Sequence, residues 1–289
     1  MHYFVAVAEE LHFGRAAARL HIAQPSLSQQ VRRLEHQLGV TLLDRTSRHV
    51  ALTPAGQVLL TEGRRLLAEA HQTVRATRAA GSEQLTIGFY GSAAGTLLPH
   101  ALRAFSEEHP AVRISVRELL LGRLDDVIGG NVDVAFTRLQ CGQAEVQVEV
   151  IAREPRMVAL PSEHRLAARA SLTFSELREE RFITNPVVPG SGSPARWLDE
   201  QRRHGLPGRV AAEAASVQEI LTLVATGQGI SLVPASVARH YPRADVAYVE
   251  VTDAERALVS LAWNPRHLRP AVEAFIRTAR EVALAARPR

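Results

Sequence analysis

The sequence predicts an α+β multidomain chain: a small helical module closing in a two-stranded wing, one long helix, and a large α/β domain. Three observations carry this expectation. The first 40 residues hold three short stretches of helical apolar spacing. Residues 54–80 hold no decisive helix break, and from Gln84 onward β-branched runs alternate with helical ones. The expected bounds are 1–58 for the first module, 54–80 for the long helix and 81–289 for the α/β domain.

In the first module, Phe4, Val5, Val7, Ala8 and Leu11 suit a first helix with one buried stripe, and Ala16, Ala17 and Leu20 a second. Pro25 stands where a third helix would begin and Gly39 where it would stop. Along it Leu27, Val31, Leu34 and Leu38 step by 4, 3 and 4, which places all four in one stripe expected to be core. Val40 to Leu52 then reads as a two-stranded wing around the polar centre Arg45-Thr46-Ser47-Arg48.

Thr53-Pro54 is a strong start for the long helix, with Thr as N-cap and Pro in first position. Gly56 and Gly63 weaken that helix without ending it. Its apolar positions Leu59, Leu66, Ala70 and Val74 lie nearly on one face, and a partner helix is the natural cover for them. Beyond Gln84 come strands at Leu85–Phe89, Val112–Leu119 and Val132–Phe136, further strands to Val259–Trp263, and a closing helix at Ala271–Ala286. The alternation predicts parallel strands.

Composition bounds the function. With 289 residues, 46% hydrophobic and 22% charged, the chain has ample apolar material for a core, which excludes collagen-like and wholly disordered readings. No run approaches the roughly 18–20 apolar residues that span a bilayer. Met1-His2-Tyr3-Phe4 lacks the order of a signal peptide. The single cysteine, Cys141, makes no internal disulfide and supplies little of a metal site. The expectation is a soluble, cytoplasmic protein with no membrane partner, no metal and no cofactor.

All 34 basic residues are arginine, so any phosphate is met by guanidinium groups. Residues 1–83 hold 10 Arg against 7 acidic residues, and residues 84–289 hold 24 against 23. A short basic piece precedes a long near-neutral one, which suggests an anion-facing module attached to something else.

The face of the third helix opposite its apolar stripe carries Pro25, Ser28, Gln29, Arg32, Arg33 and His36, with Ser26 beside them and Gln24 just before. Gln pairs bidentately with adenine, Arg with guanine, and a helix N-terminus attracts phosphate. Any solvated helix face shows such residues, so by itself this one supports either reading equally. The preceding helix, the tight turn and the Arg-tipped wing move it to a winged helix-turn-helix.

Several spaced stretches then carry a specific resemblance: Tyr3 to Ala17, Ala23 to Glu35, Leu38-Gly39-Val40, Leu42-Leu43-Asp44-Arg45 and Leu52-Thr53-Pro54-Ala55-Gly56. Together they resemble the opening of LysR-type transcriptional regulators. The similarity is densest over residues 3–60 and continues weakly through the rest. It implies a dimerising linker helix and a C-terminal effector domain of two subdomains, like the type 2 periplasmic-binding-protein fold. Their expected bounds are about 84–158 with 259–289, and about 159–258.

What the resemblance implies for function is binding to double-stranded promoter operator DNA and bending of it in response to a small-molecule effector. A homodimer or homotetramer is implied, with RNA polymerase a further partner. The family's DNA contacts fall on Gln24, Pro25, Ser26, Ser28 and Gln29, with Arg32 nearby and wing contacts at Arg45 and Arg48. Many members carry Arg where this chain has Gln29, so one contact is expected to differ.

In the back domain, Gly91-Ser92 follows a strand and opens a helix, a place for a carboxylate, with a plain capping serine as the competing reading. The resemblance favours ligand contact there. Relatives often place Ser or Thr where this chain runs Leu119-Leu120-Leu121, so one apolar wall is expected, lined by Leu120 and Phe136. That wall suits a carboxylated effector with an aromatic or aliphatic body. Arg138 could pair with an anionic effector or with Glu154, and Asn185-Pro186 and Ser216-Val217 are candidates for the facing wall.

Catalysis finds little support. The glycines around Ser92 do not form a nucleophile elbow, and no metal-ligand spacing occurs. Gly227-Gln228-Gly229 lacks the third glycine of a dinucleotide fingerprint. The alternatives are a cytoplasmic small-molecule-binding protein without DNA function, for which residues 1–80 would be superfluous, or a redox sensor acting through Cys141.

Overall fold

The computed structural model describes residues 1–45, 50–78, 83–93, 95, 97–119, 124–140, 145–184 and 209–286. The chain divides into two compact units, residues 1–78 and 79–289.

The first unit opens with α1 (His2–Glu10), α2 (Phe13–Arg19) and α3 (Gln24–Leu38), followed by the antiparallel strands β1 (Leu43–Arg45) and β2 (Val50–Leu52) and by α4 (Pro54–Arg78). Local chemistry sets the boundaries. The His12 imidazole accepts from the Arg15 amide at 3.1 Å and caps α2, while Gly39, at φ 68°, ends α3 in the left-handed conformation. The Thr53 hydroxyl accepts from the Gly56 amide at 3.0 Å and caps α4. The core of this unit is Phe4, Val5, Val7, Ala16, Leu27, Val31, Leu42, Leu43 and Leu60.

Leu38 departs from expectation: it lies on the stripe but is 48% exposed. The stripe is angularly right, yet it runs past the end of the short core, so its last residue meets solvent. The two glycines of α4 also differ in meaning from the sequence expectation. A Cβ at Gly56 would lie 2.0 Å from the Leu42 carbonyl oxygen, and one at Gly63 would lie 3.3 Å from Met1 Cγ and Val5 Cγ2. Both residues are buried, and they are the points where α4 passes under the wing and against α1.

The second unit holds two sheets. The first has strand order β4-β3-β5-β13-β6, with β3 (Gln84–Tyr90) parallel to both β4 (Arg113–Leu119) and β5 (Val134–Thr137). Here β13 (Ala257–Trp263) runs antiparallel to β5 and to β6 (Gln147–Glu154). Helices α5 (Leu97–Glu108) and α9 (Pro270–Ala285) pack on it, with the short α6 (Asp125–Ile128) between β4 and β5. Phe105 and Phe136 each meet Phe275 edge-on, at 5.4 and 6.4 Å between ring centres.

The second sheet has order β11-β7-β12-β8, from β7 (Arg156–Pro161), β8 (Ser171–Leu172), β11 (Ser231–Pro234) and β12 (Val246–Val251). The parallel pair β9 (Arg181–Thr184) and β10 (Arg209–Glu213) joins it through a bridge between Phe182 and Ile230. Helices α7 (Val217–Ala225) and α8 (Ala235–His240) complete this lobe.

The expectation of parallel strands therefore holds for β3 with β4 and β5, for β8 with β12 and for β9 with β10, while β13 with β5 and β6, and β7 with β11 and β12, run antiparallel. Residue 155 alone separates β6 from β7, and residues 252–256 separate β12 from β13. Connections this short cannot hold a helical crossover, so two long antiparallel paths cross both sheets and mix the strand directions. Among the described residues, no helix is long and apolar enough to cross a membrane.

Candidate nucleic-acid interface and ligand cleft

Helix α3 buries Leu27 and Val31 and turns its other face outward. Gln24, Pro25, Ser26, Gln29 and Arg32 are exposed and Ser28 is half-buried. Pro25 fits the first turn, where its missing amide is no loss, and the methyl side chain of the N-cap residue Ala23 makes no capping hydrogen bond. The first-turn amides of a 15-residue helix thus lie beside exposed Gln and Ser side chains, which suits phosphate and base edges.

No local pattern marks the residue that ties the wing to this helix. One Glu35 carboxylate oxygen accepts from the amides of Leu42 at 2.9 Å and Leu43 at 3.2 Å, where the chain enters β1. Arg45 closes β1 opposite Val50, and Arg48 lies outside the described residues. On α4, Leu60 and Gly63 pack inward, while Leu66, Ala70 and Val74 further along are exposed.

In the second unit, Gly91 sits in a 3-10 turn after β3 with φ 47°, and a Cβ there would stand 2.7 Å from Val217 Cγ2. Glycine is required on both counts. Opposite it, Ser216 caps α7 by accepting from the Glu219 amide at 3.2 Å, and the Glu219 carboxylate accepts from the Ala215 amide at 2.8 Å. Gly91, Glu118, Leu119, Ser216, Val217, Gln218 and Tyr241 line a cavity of about 300 Å³ between the lobes. Burial pushes the Tyr241 hydroxyl up, and the Glu118 charge adds to the shift.

Three sequence-predicted pocket residues stand elsewhere. Phe136 is fully buried beneath Phe275 in the first core, because its strand is central in the sheet. Arg138 is engaged within the protein. It donates to the Glu154 carboxylate at 2.5 Å, to the Leu258 carbonyl at 2.9 Å, and to the Ser92 carbonyl and hydroxyl at 2.9 and 3.1 Å. A further bond reaches the Ser236 hydroxyl at 2.9 Å.

The structural ion pair is the alternative realised, and burial pushes the Arg138 guanidinium down while Glu154 opposes the shift. The Ser92 hydroxyl, expected to face a carboxylate, instead accepts from Arg138 and is buried. It borders a second cavity, of about 470 Å³, walled by Leu97, Ile151, Ala152, Val259 and Ala283. Leu120, Cys141, Asn185 and Pro186 lie outside the described residues.

A small helical unit that presents a recognition helix, a wing and a long helix, followed along the chain by a two-lobed α/β unit with a cavity between its lobes, defines a ligand-responsive DNA-binding regulator. Comparison with known proteins makes this specific. Residues 1–57 match the family described as "Bacterial regulatory helix-turn-helix protein, lysR family", and residues 78–284 match "LysR substrate binding domain". The chain belongs to the LysR family of transcriptional regulators.

Among its relatives is the HTH-type transcriptional regulator AlsR of Bacillus subtilis, 36% identical over 286 residues, covering 96% of this chain and 93% of AlsR. Full-length BenM is similar in structure, with TM-score 0.58 and 31% identity over 98% of this chain and 95% of BenM. Full-length CbnR complexed with its target DNA is similar at TM-score 0.57 and 27% identity, over 98% of both chains.

Proposed function

We propose that this regulator reads promoter DNA through the outer face of α3 and the wing, and that a small carboxylated metabolite between the lobes of the second unit controls that binding. The observation that carries the DNA half is the exposed row Gln24, Ser26, Gln29 and Arg32 over a buried Leu27 and Val31. The exposed Leu66, Ala70 and Val74 on α4 favour a dimer joined along that helix, and two dimers bending DNA over two half-sites.

For the ligand, the first turn of α7 opens on the cavity of about 300 Å³. The Glu219 amide is taken by the Ser216 hydroxyl, and the Val217 and Gln218 amides, at first-turn positions that no carbonyl of the helix reaches, suit a carboxylate. Glu118 lines the same cavity and repels an anion beside it, so the acid group goes to the helix end. Leu119 and Val217 offer apolar contact to an aliphatic or aromatic body.

Calorimetry of the full chain with a panel of aliphatic and aromatic acids tests this, followed by footprinting with and without whichever acid binds. Gln218→Glu is expected to weaken that acid about tenfold and Glu118→Gln to strengthen it several-fold, the signs following from charge. A panel without a binder, or a footprint that the bound acid leaves unchanged, overturns the effector reading.

A further inference from the structure

We propose that Glu9 is a positioning residue for DNA recognition: it fixes the angle between the DNA-reading helices and α4, and thereby the half-site spacing that a dimer accepts. The proposal rests on the DNA-binding reading above. Glu9 lies in the last turn of α1 with its side chain only 6% exposed. One carboxylate oxygen is 2.7 Å from Nη1 of Arg19, the last residue of α2, and the other is 3.0 Å from Nε of Arg64 on α4. Both arginines keep their outer parts in solvent, at 44% and 41% exposure. A single buried carboxylate therefore ties three helices together by charge-assisted bonds, whose direction is fixed by the planar guanidinium groups.

Position along the helices explains why this tie controls an angle. Helices α1 and α4 cross at Gly63, next to Arg64, where Met1 and Val5 would lie 3.3 Å from an added Cβ. A crossing built on a glycine sets how closely the helices approach but presents no side chain to stop one rolling on the other. Glu9 lies four residues beyond Val5, about 6 Å further along α1 at 1.5 Å per residue. Two contacts separated along one helix define an angle where one contact defines only a distance.

From the crossing at Gly63 to its end at Arg78, α4 makes a lever of about 22 Å. A 10° change at that crossing moves the far end by roughly 4 Å, close to one base-pair step of about 3.4 Å. Removing Arg64 still leaves the buried Glu9 carboxylate its bond to Arg19, so a loss of stability alone does not identify this role, and the signature that does is geometric.

The test uses the full chain and a duplex selected by it from a random-sequence pool. Affinity is measured by fluorescence anisotropy on that duplex, on versions with one base pair inserted or removed between the half-sites, and on a duplex with a single half-site. The parent is expected to lose at least tenfold on the respaced duplexes. Glu9→Ala and Arg64→Ala are expected to lose less than threefold, with single half-site affinity within twofold of the parent, and Arg64→Lys, which keeps the charge but not the planar guanidinium, to restore only part of the spacing penalty.

Variants that keep the parent's tenfold penalty overturn the proposal, as does a parent with no spacing preference. Should Glu9→Ala fail to fold by circular dichroism, Arg64→Ala, altered at a half-exposed surface site, decides in the same terms. A parent that selects no duplex at all overturns the DNA-binding reading itself, a separate outcome.

Discussion

Arg138 and Glu154 face each other at 2.5 Å, one leaving β5 and the other ending β6, and Ser236 of the second lobe closes the pair from the far side. The Ser236 amide donates to Glu154 at 2.6 Å while its hydroxyl accepts from Arg138 at 2.9 Å. One charge pair therefore holds the loop after β3, the end of β6 and the start of α8 at the place where the chain passes between lobes. Arg156 stands one residue beyond that crossing, and burial pushes its guanidinium down to about 10, with the Arg138 charge adding to the shift.

Removing one partner of this pair leaves a charge with poor access to water. Glu154→Ala is expected to destabilise the second unit by about 2–4 kcal/mol, below the full cost of a wholly buried pair because both side chains keep some exposure. The double variant Arg138→Met with Glu154→Leu removes both charges and should recover at least half of that loss. Urea unfolding of the full chain measures both, and a double variant as unstable as the sum of its single changes would contradict this account.

Glu35 is expected to act on DNA without touching it. Glu35→Ala strips the acceptor from the Leu42 and Leu43 amides and frees the wing from α3, which should weaken binding to all sequences by roughly tenfold, about 1.4 kcal/mol. Glu35→Gln keeps a carbonyl oxygen there and should lose much less. Anisotropy titrations that find the two variants equal would show that the anchoring bonds do not matter to DNA.

The recognition helix and the wing should separate by the kind of effect each has. Gln24→Ala is expected to relax discrimination at one base pair by about 1–3 kcal/mol. Arg48→Ala should weaken binding to most sequences and lower the salt slope by roughly one. Competition binding across salt concentrations reads both, and the docking reading fails if each variant behaves like the parent.

The two glycines of α4 should differ in what an added Cβ costs. Alanine gains about 1 kcal/mol of helix propensity over glycine at either site. At Gly56 the added Cβ would overlap the Leu42 carbonyl, a backbone atom 2.0 Å away, so Gly56→Ala should destabilise the first unit by at least 1–3 kcal/mol, the usual range for overpacking. At Gly63 the neighbours are side-chain ends of Met1 and Val5, which can yield, and Gly63→Ala should come out near neutral. Thermal unfolding midpoints of the two variants decide it.

Much of this protein was legible where the deciding chemistry lies within a turn or two of the residue concerned. Pro25 and Gly39 bound α3, Thr53 and Pro54 open α4, and the stripe of Leu27 and Val31 identifies the outward face of α3, because caps and helical spacing depend on near neighbours alone. What only the tertiary structure decided depends on residues far apart in sequence. Glu154 meets Ser236 across 82 positions and Glu9 meets Arg64 across 55, and no local pattern announces either. The same holds for the antiparallel course of β13, the burial of Phe136 beneath Phe275, and the engagement of Arg138 by Glu154 rather than by a ligand. Each of these follows from which strand lies beside which, and that is settled by packing of the whole core.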